Sequence, residues 1–222
     1  MHYDLLSLDM AGTTFDEGNV VYDVLRRSVA DALGTDVPWD IVDRWTGTSK
    51  IEAIRAIIKE VRGDADPEKV YSAFSAQLER SYREDPPRPF PGVTEMFNRL
   101  RSAGVKVALQ TGYAKPITDL ILENAGWRIG ETVDAVVTSD SVAASRPAPY
   151  LIFRTMEATG VTNVRRVLVA GDTVNDLRAG TNAGAGFVVG LLSGAQSVET
   201  LGRVPHTHIL DRVTDIEALA HE

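Results

Sequence analysis

Short apolar runs punctuate the chain at Tyr3–Leu8, Val105–Leu109, Ala135–Val137, Val167–Ala170 and Phe187–Val189, with a weaker one at His208–Leu210. Each has strand length and ends at a turn signal. Between them, Val93–Ala103 and Ile117–Ala125 repeat their apolar residues at helical intervals. Strands alternating with helices mean crossover connections. The pattern therefore predicts an α/β protein with a mostly parallel sheet covered on both faces.

One block breaks the alternation. Val20–Leu33 has helical spacing, Ile51, Ile54, Ile57, Ile58 and Val61 form one stripe, and Val70–Tyr82 is helical again. No convincing strand interrupts them. The expected outgoing joint is Phe15–Asn19, and the return is "EDPPRPFPG" (84–92), whose four prolines discourage helix and sheet together. The expected organisation is a core from 1–17 and 86–222 with an inserted α-helical cap over 18–85.

Composition narrows the chemistry. The 222 residues contain no cysteine, which removes disulfides, thiolate catalysis and cysteine–zinc sites. The formal charge of −8 disfavours nonspecific binding to nucleic acid or anionic membranes. With no basic leader and no apolar run of membrane-spanning length, a cytoplasmic protein is the expectation. An anionic substrate would need a local set of donors and a metal.

Candidates for that set stand at strand ends. Asp9 closes the first apolar run, and Gly12-Thr13-Thr14 follows as a turn rich in N–H groups and hydroxyls. Alone, this reads equally as an Asx-type turn. "VLVAGDTVNDLRAG" (167–180) ends a second run at Asp172-Thr173, with Asp176 one helical turn on; helix capping would explain it in isolation. Two carboxylate clusters at strand ends are better explained by a hard cation with oxygen ligands, most plausibly Mg²⁺. Thr111 and Gly112 end the run Val105–Leu109 and can hold phosphoryl oxygens. Arg146, before a Pro-x-Pro helix entry, supplies the fixed positive charge the chain otherwise lacks.

These four segments, in this order and with the insert between the first and second, resemble the haloacid dehalogenase-like hydrolases. The resemblance implies a Rossmann-like core with a helical cap, and an Asp9 that attacks phosphorus to form an aspartyl-phosphate. It also implies Mg²⁺ on Asp9, the Ala11 carbonyl and Asp172, supported by Thr173 and Asp176. Gly12, Thr13, Thr111, Gly112 and Arg146 would bind the phosphoryl group.

Position 11 separates this chain from most phosphatases of that family. They carry a second acid there that protonates the departing ester oxygen, help worth about 10²–10⁴ in rate. Ala11 provides none. Asp-x-Ala-Gly-Thr, with arginine in the third motif, resembles the phosphonatase branch, whose leaving group is carbon and whose cap lysine condenses with the substrate aldehyde. In "WTGTSKIEAIRAII" (45–58) the corresponding residue is Lys50. Ser49 and Glu52 form a local capping box that puts Lys50 in the first turn. A free amine near neutrality needs roughly 4 kcal/mol of perturbation from the usual value near 10.4. The helix end supplies about 0.3–1 kcal/mol, so burial under a closed cap must supply most of the rest.

Tyr113 and Thr46 are candidate substrate-binding residues, with packing the alternative for Tyr113. The chain departs from the phosphonatase pattern at Ala53, Thr46 and Asn19, all around the carbon portion of the substrate. A 2-oxo phosphonate, either phosphonoacetaldehyde or a substituted relative, is the substrate class this implies; phosphate-ester hydrolysis with Lys50 as an anchor is the runner-up. Phosphonatases commonly dimerise through the cap, and the stripes of Val20–Leu33 and Ile51–Val61 suit either a homodimer or packing within the cap. Trp39, Trp45 and Trp127 read as packing residues. His206 and His208 read as a loop-to-strand edge, and His2 and His221 are terminal.

Overall fold

The computed structural model describes residues 3–219. The first apolar run forms β1 (Leu5–Leu8), with every side chain buried. Its parity is visible in the packing. Leu6 and Leu8 join one apolar cluster with Leu109 and Leu168, while Leu5 joins the opposite one with Ala108, Val169 and Ile152. Ser7 shares the second face, where its hydroxyl accepts from Thr155 at 3.0 Å. A strand buried on both faces belongs at the centre of a parallel sheet.

After β1 the chain makes a two-residue strand β2 (Phe15–Asp16) and enters four helices, α1 (Val20–Leu33), α2 (Trp39–Asp43), α3 (Lys50–Glu60) and α4 (Pro67–Glu84). It returns through β3 (Arg88–Pro89) to α5 (Val93–Ser102), β4 (Lys106–Gln110), α6 (Lys115–Ala125), β5 (Ala135–Val137), α7 (Tyr150–Thr159), β6 (Val167–Gly171) and α8 (Val174–Ala183). β7 (Phe187–Leu191), α9 (Val198–Leu201), β8 (His208–Leu210) and α10 (Ile216–Leu219) complete it. The six-stranded sheet has the order β5-β4-β1-β6-β7-β8, with every pair parallel. β1 lies between β4 and β6, with Leu5 opposite both Lys106 and Val167. The chain therefore reverses its direction of winding beside Asp9, the position where open α/β sheets place ligands. Asp9, Thr111 and Asp172 follow β1, β4 and β6 on that edge.

The helices between β2 and β3 pack chiefly on one another. Ile54, Ile57 and Ile58 of α3 are buried with Val21, Leu25 and Val29 of α1 and with Phe74 and Leu78 of α4. The apolar stripes are thus accounted for within the insert. No helix among the described residues is long and apolar enough to cross a membrane.

Two local expectations are corrected. The proline-rich return does pair: Phe15 stands opposite Pro89 and Asp16 opposite Arg88, and Phe90 N–H donates to Thr14 O at 3.0 Å. A two-stranded ribbon is all edge, so a proline facing away from the ladder costs no bond. Trp39 is 39% exposed, with the Arg26 guanidinium over its ring at 5.1 Å, rather than packed. Trp127 does pack, between Phe15 and Phe97.

Candidate active site

Asp9 is held at the end of β1 by its own N–H, which donates to Ala170 O at 3.0 Å. Asp172 leaves the end of β6, where its carboxylate accepts from Ala195 N–H at 2.7 Å and from the Thr13 hydroxyl at 3.3 Å. Asp176 lies in the first turn of α8. Thr173 caps that helix and exchanges bonds with Asp176 in a reciprocal capping box, its hydroxyl donating at 2.5 Å. Capping and clustering, alternatives in the sequence, occur together because one carboxylate serves both. Oxygens of Asp9, Asp172 and Asp176 all lie within 4.8 Å of one another, and all three residues are buried.

The counter-charge is Arg146. Only 2% exposed, it donates to Asp9 Oδ1 at 2.7 Å and to Asp176 Oδ1. Burial opposes its charge, but the two carboxylates outweigh that and hold its pKa above the usual value. The carboxyls move the other way. Burial raises Asp9 against the pull of Arg146, with repulsion from Asp176 adding to it. Burial, then Asp9 and Asp176, raises Asp172. Three buried carboxylates and one guanidinium thus form an oxygen-rich, net-negative donor set, which suits a hard divalent cation.

The inserted helices close over this edge. Ser49 caps α3 by accepting from Glu52 N–H at 3.4 Å, which puts Lys50 at the first helical position. The expected reciprocal half of that capping box does not form. Glu52 instead reaches the core and accepts from Ser145 N–H at 3.2 Å, beside Arg146. Three further contacts seat the preceding loop. Asn175 Nδ2 donates to Thr46 O at 2.7 Å, and Gln196 Nε2 to the Thr46 hydroxyl at 3.2 Å. Gly112 lies so close to Thr48 O that no Cβ would fit.

Lys50 is 6% exposed. Its Nζ donates to Thr48 O at 3.2 Å and stands 4.7 Å from the Tyr22 ring centroid and 5.5 Å from that of Tyr113. Burial, followed by the charge of Arg146, lowers its pKa to about 8, against the opposing pull of Asp9, Glu17 and Asp172. The Tyr82 hydroxyl donates to Glu17 at 2.9 Å and accepts from the Tyr113 hydroxyl at 2.7 Å. Burial and the Tyr82 charge keep the Tyr113 phenol well above its ordinary pKa, hence neutral.

The structure therefore brings Asp9, Asp172, Asp176, Thr173, Arg146 and Lys50 into one electrostatic neighbourhood. Thr13 contacts Asp172, and Ala11 and Gly12 line a cavity with it. The Thr111 hydroxyl accepts from Tyr113 N–H at 3.1 Å. Thr46 lines the same cavity, but its polar atoms are engaged in seating the insert: its hydroxyl donates to Asp43 O. Sequence reasoning passed over Glu17, Tyr22, Tyr82, Asn175 and Gln196. Asn175 carried the one available signal, an amide between two site carboxylates.

Residues 3–184 match the family model of haloacid dehalogenase-like hydrolases, and the chain belongs to that family. Among its relatives is the phosphonoacetaldehyde hydrolase of Parabacteroides distasonis, 29% identical over 205 residues, covering 86% of this chain and 76% of the relative. A phosphonoacetaldehyde hydrolase of Bacillus cereus is 28% identical over 211 residues, covering 89% and 79%. The solved phosphonoacetaldehyde hydrolase-like protein of Oleispira antarctica superposes with a TM-score of 0.86 at 23% identity, covering all of this chain and 92% of the other; that likeness is one of fold.

Proposed function

We propose that this chain is a Mg²⁺-dependent hydrolase that cleaves the P–C bond of a 2-oxo phosphonate, with Asp9 as nucleophile and Lys50 as the imine-forming amine. The observation that carries the reading is the burial of the Lys50 amine beside Arg146 and the Asp9 cluster, which lowers its pKa to about 8. At pH 7 about a tenth of such an amine is neutral, against well under a thousandth at the ordinary value.

The residues fit the work in order. Lys50 Nζ adds to the substrate carbonyl and water leaves, giving a protonated imine. Arg146 holds Asp9 Oδ1, which leaves Oδ2 to attack phosphorus. As the new O–P bond forms, the P–C pair moves into a C=C bond and the imine π pair becomes a nitrogen lone pair. The enamine takes a proton on carbon. One water hydrolyses the aspartyl-phosphate and a second the imine, so one water is consumed net, and phosphate and a methyl carbonyl compound depart. A divalent ion, held by the Asp9 and Asp172 carboxylates and the Ala11 carbonyl with Thr173 and Asp176 behind, would neutralise the phosphoryl oxygens. Gly12, Thr13, Thr111, Gly112 and Arg146 would orient them, and Tyr113 and Thr46 would bound the carbon side.

The methyl of Ala11 fits this route, because an enamine leaves without a proton at the breaking bond. Borohydride reduction in the presence of phosphonoacetaldehyde or a 2-oxoalkyl phosphonate should leave a mass adduct on Lys50, and Lys50→Arg should lose it. Absence of an adduct with every such phosphonate, together with full turnover of p-nitrophenyl phosphate by Lys50→Arg, would refute the imine and select the phosphatase reading.

A further inference from the structure

Glu17 has no part in the chemistry described so far, yet it is tied into the amine end. It stands in the joint between β2 and α1, where Oε2 accepts from Val21 N–H at 2.9 Å and from the Tyr82 hydroxyl at 2.9 Å. The first bond serves the start of α1. The second comes from the last turn of α4, 65 positions away, and serves no helix. Tyr82 is 1% exposed and gives its one hydroxyl hydrogen to Glu17, so it can only accept from Tyr113. The bonds therefore run from the core loop after β4, through the end of the insert, to a carboxylate at its beginning.

Lys50 lies beside this chain. The Tyr113 ring is one wall around its Nζ, 5.5 Å away, and the Tyr22 ring, 4.7 Å away, is another. Tyr22 is itself fixed by Gly47 N–H, which donates to its hydroxyl at 2.8 Å. Ring faces at such distances favour a cation. Burial and then Arg146 disfavour charge on Lys50, whereas Asp9, Glu17 and Asp172 favour it. Burial raises the Glu17 carboxyl in turn, opposed by Val21 N–H, by Tyr82 and by the charge of Lys50. In the proposed reaction Asp9 and Asp172 serve phosphorus and the divalent ion, so of these three carboxylates Glu17 is the one left for the nitrogen.

Resting on the imine reading, we propose that Glu17 is the counter-ion of the protonated imine on Lys50, and that Tyr82 couples it to the Tyr113 wall. Neither side chain touches the reacting atoms; both are positioning residues. The nitrogen needs its positive charge as the P–C pair moves toward it, and a carboxylate in the joint sustains that charge without competing for phosphorus.

The test is kcat and kcat/KM for phosphonoacetaldehyde and 2-oxopropylphosphonate between about pH 6 and 10 in the parent, Glu17→Gln and Tyr82→Phe. Glutamine keeps an acceptor oxygen and removes the charge. The Lys50 ammonium then loses a stabilising neighbour, so the rise in kcat/KM should move about half a unit or more to lower pH. The protonated imine loses the same neighbour, so kcat at about pH 8 should fall about threefold or more, half a unit being a factor of about three. An amine that is easier to deprotonate in a slower enzyme is a pairing that loosened packing does not produce; loosening raises KM and leaves the pH limb in place. A limb that stays or moves to higher pH, or an unchanged kcat, would overturn the inference while the borohydride adduct on Lys50 stands. If Glu17→Gln does not fold, Tyr82→Phe decides, because it keeps the buried ring: kcat should fall about threefold at unchanged KM, and an unchanged kcat overturns the inference. No adduct on the parent with either probe removes the imine reading, and this one with it.

Discussion

The two ends of the candidate site are built in different ways. The phosphoryl end is carried by the core: Asp9, Thr111 and Asp172 stand where adjacent parallel strands stop, and Arg146 is fixed between Asp9 and Asp176. The amine end is carried by a loop and helix start that reach the core through a few hydrogen bonds from Asn175, Gln196 and Glu52. Strand ends cannot shift without breaking the sheet, whereas docked loops can leave. In the proposed reaction the first end holds charge in place and the second arrives and departs.

Substitutions at each end should separate these characters. Asp9→Asn is expected to lower turnover by at least about 10³-fold while the fold, by circular dichroism, stays intact, since it removes the proposed nucleophile and keeps the shape. Retained turnover would move the chemistry elsewhere. Arg146→Met leaves Asp9 and Asp176 buried without their cation, a loss of about 3–5 kcal/mol of stability in denaturant titration. Added Mg²⁺ should recover part of it.

The amine end should show itself in pH. With its pKa near 8, kcat/KM should rise about tenfold per unit below that value and level off above it, because in the proposed reaction the neutral amine attacks. The stability sign follows from proton counting. Between about 8 and the ordinary lysine value the unfolded chain holds the proton that the folded one has lost, so stability rises with pH across that window. Lys50→Met should therefore be more stable than the parent at neutral pH, although inactive. The smallest effect belongs to the seam. Asn175→Ala removes one donor to Thr46 and should cost about 1 kcal/mol, read as faster amide exchange in 46–50 and a several-fold rise in KM. Unchanged exchange there would deny Asn175 a part in closure.

Legibility followed the same division. The strands Ala135–Val137 and His208–Leu210 and the helix Val20–Leu33 coincide with the expected runs, and other expected elements shift by a few residues at their ends. Continuous apolar runs and strand-end carboxylates are local signals, so the phosphoryl end could be read from spacing. The companions of Lys50 could not. Tyr22, Tyr82 and Glu17 meet it only after the insert folds, and nothing in their own neighbourhoods marks them. Glu52 was placed on its own helix because local capping is what sequence spacing shows. Its actual partner, Ser145, is 93 positions away. Pro89 failed in the opposite direction, since a rule true of sheet interiors does not bind a two-residue ribbon.

That ribbon has a consequence for how the molecule could be engineered. Because departing and returning strands lie side by side, about 5 Å apart, the whole helical block hangs from a single stalk. Cutting there and sealing with a tight turn would leave every strand of the main sheet uninterrupted, which makes the ribbon the place to join a different roof to the same foundation.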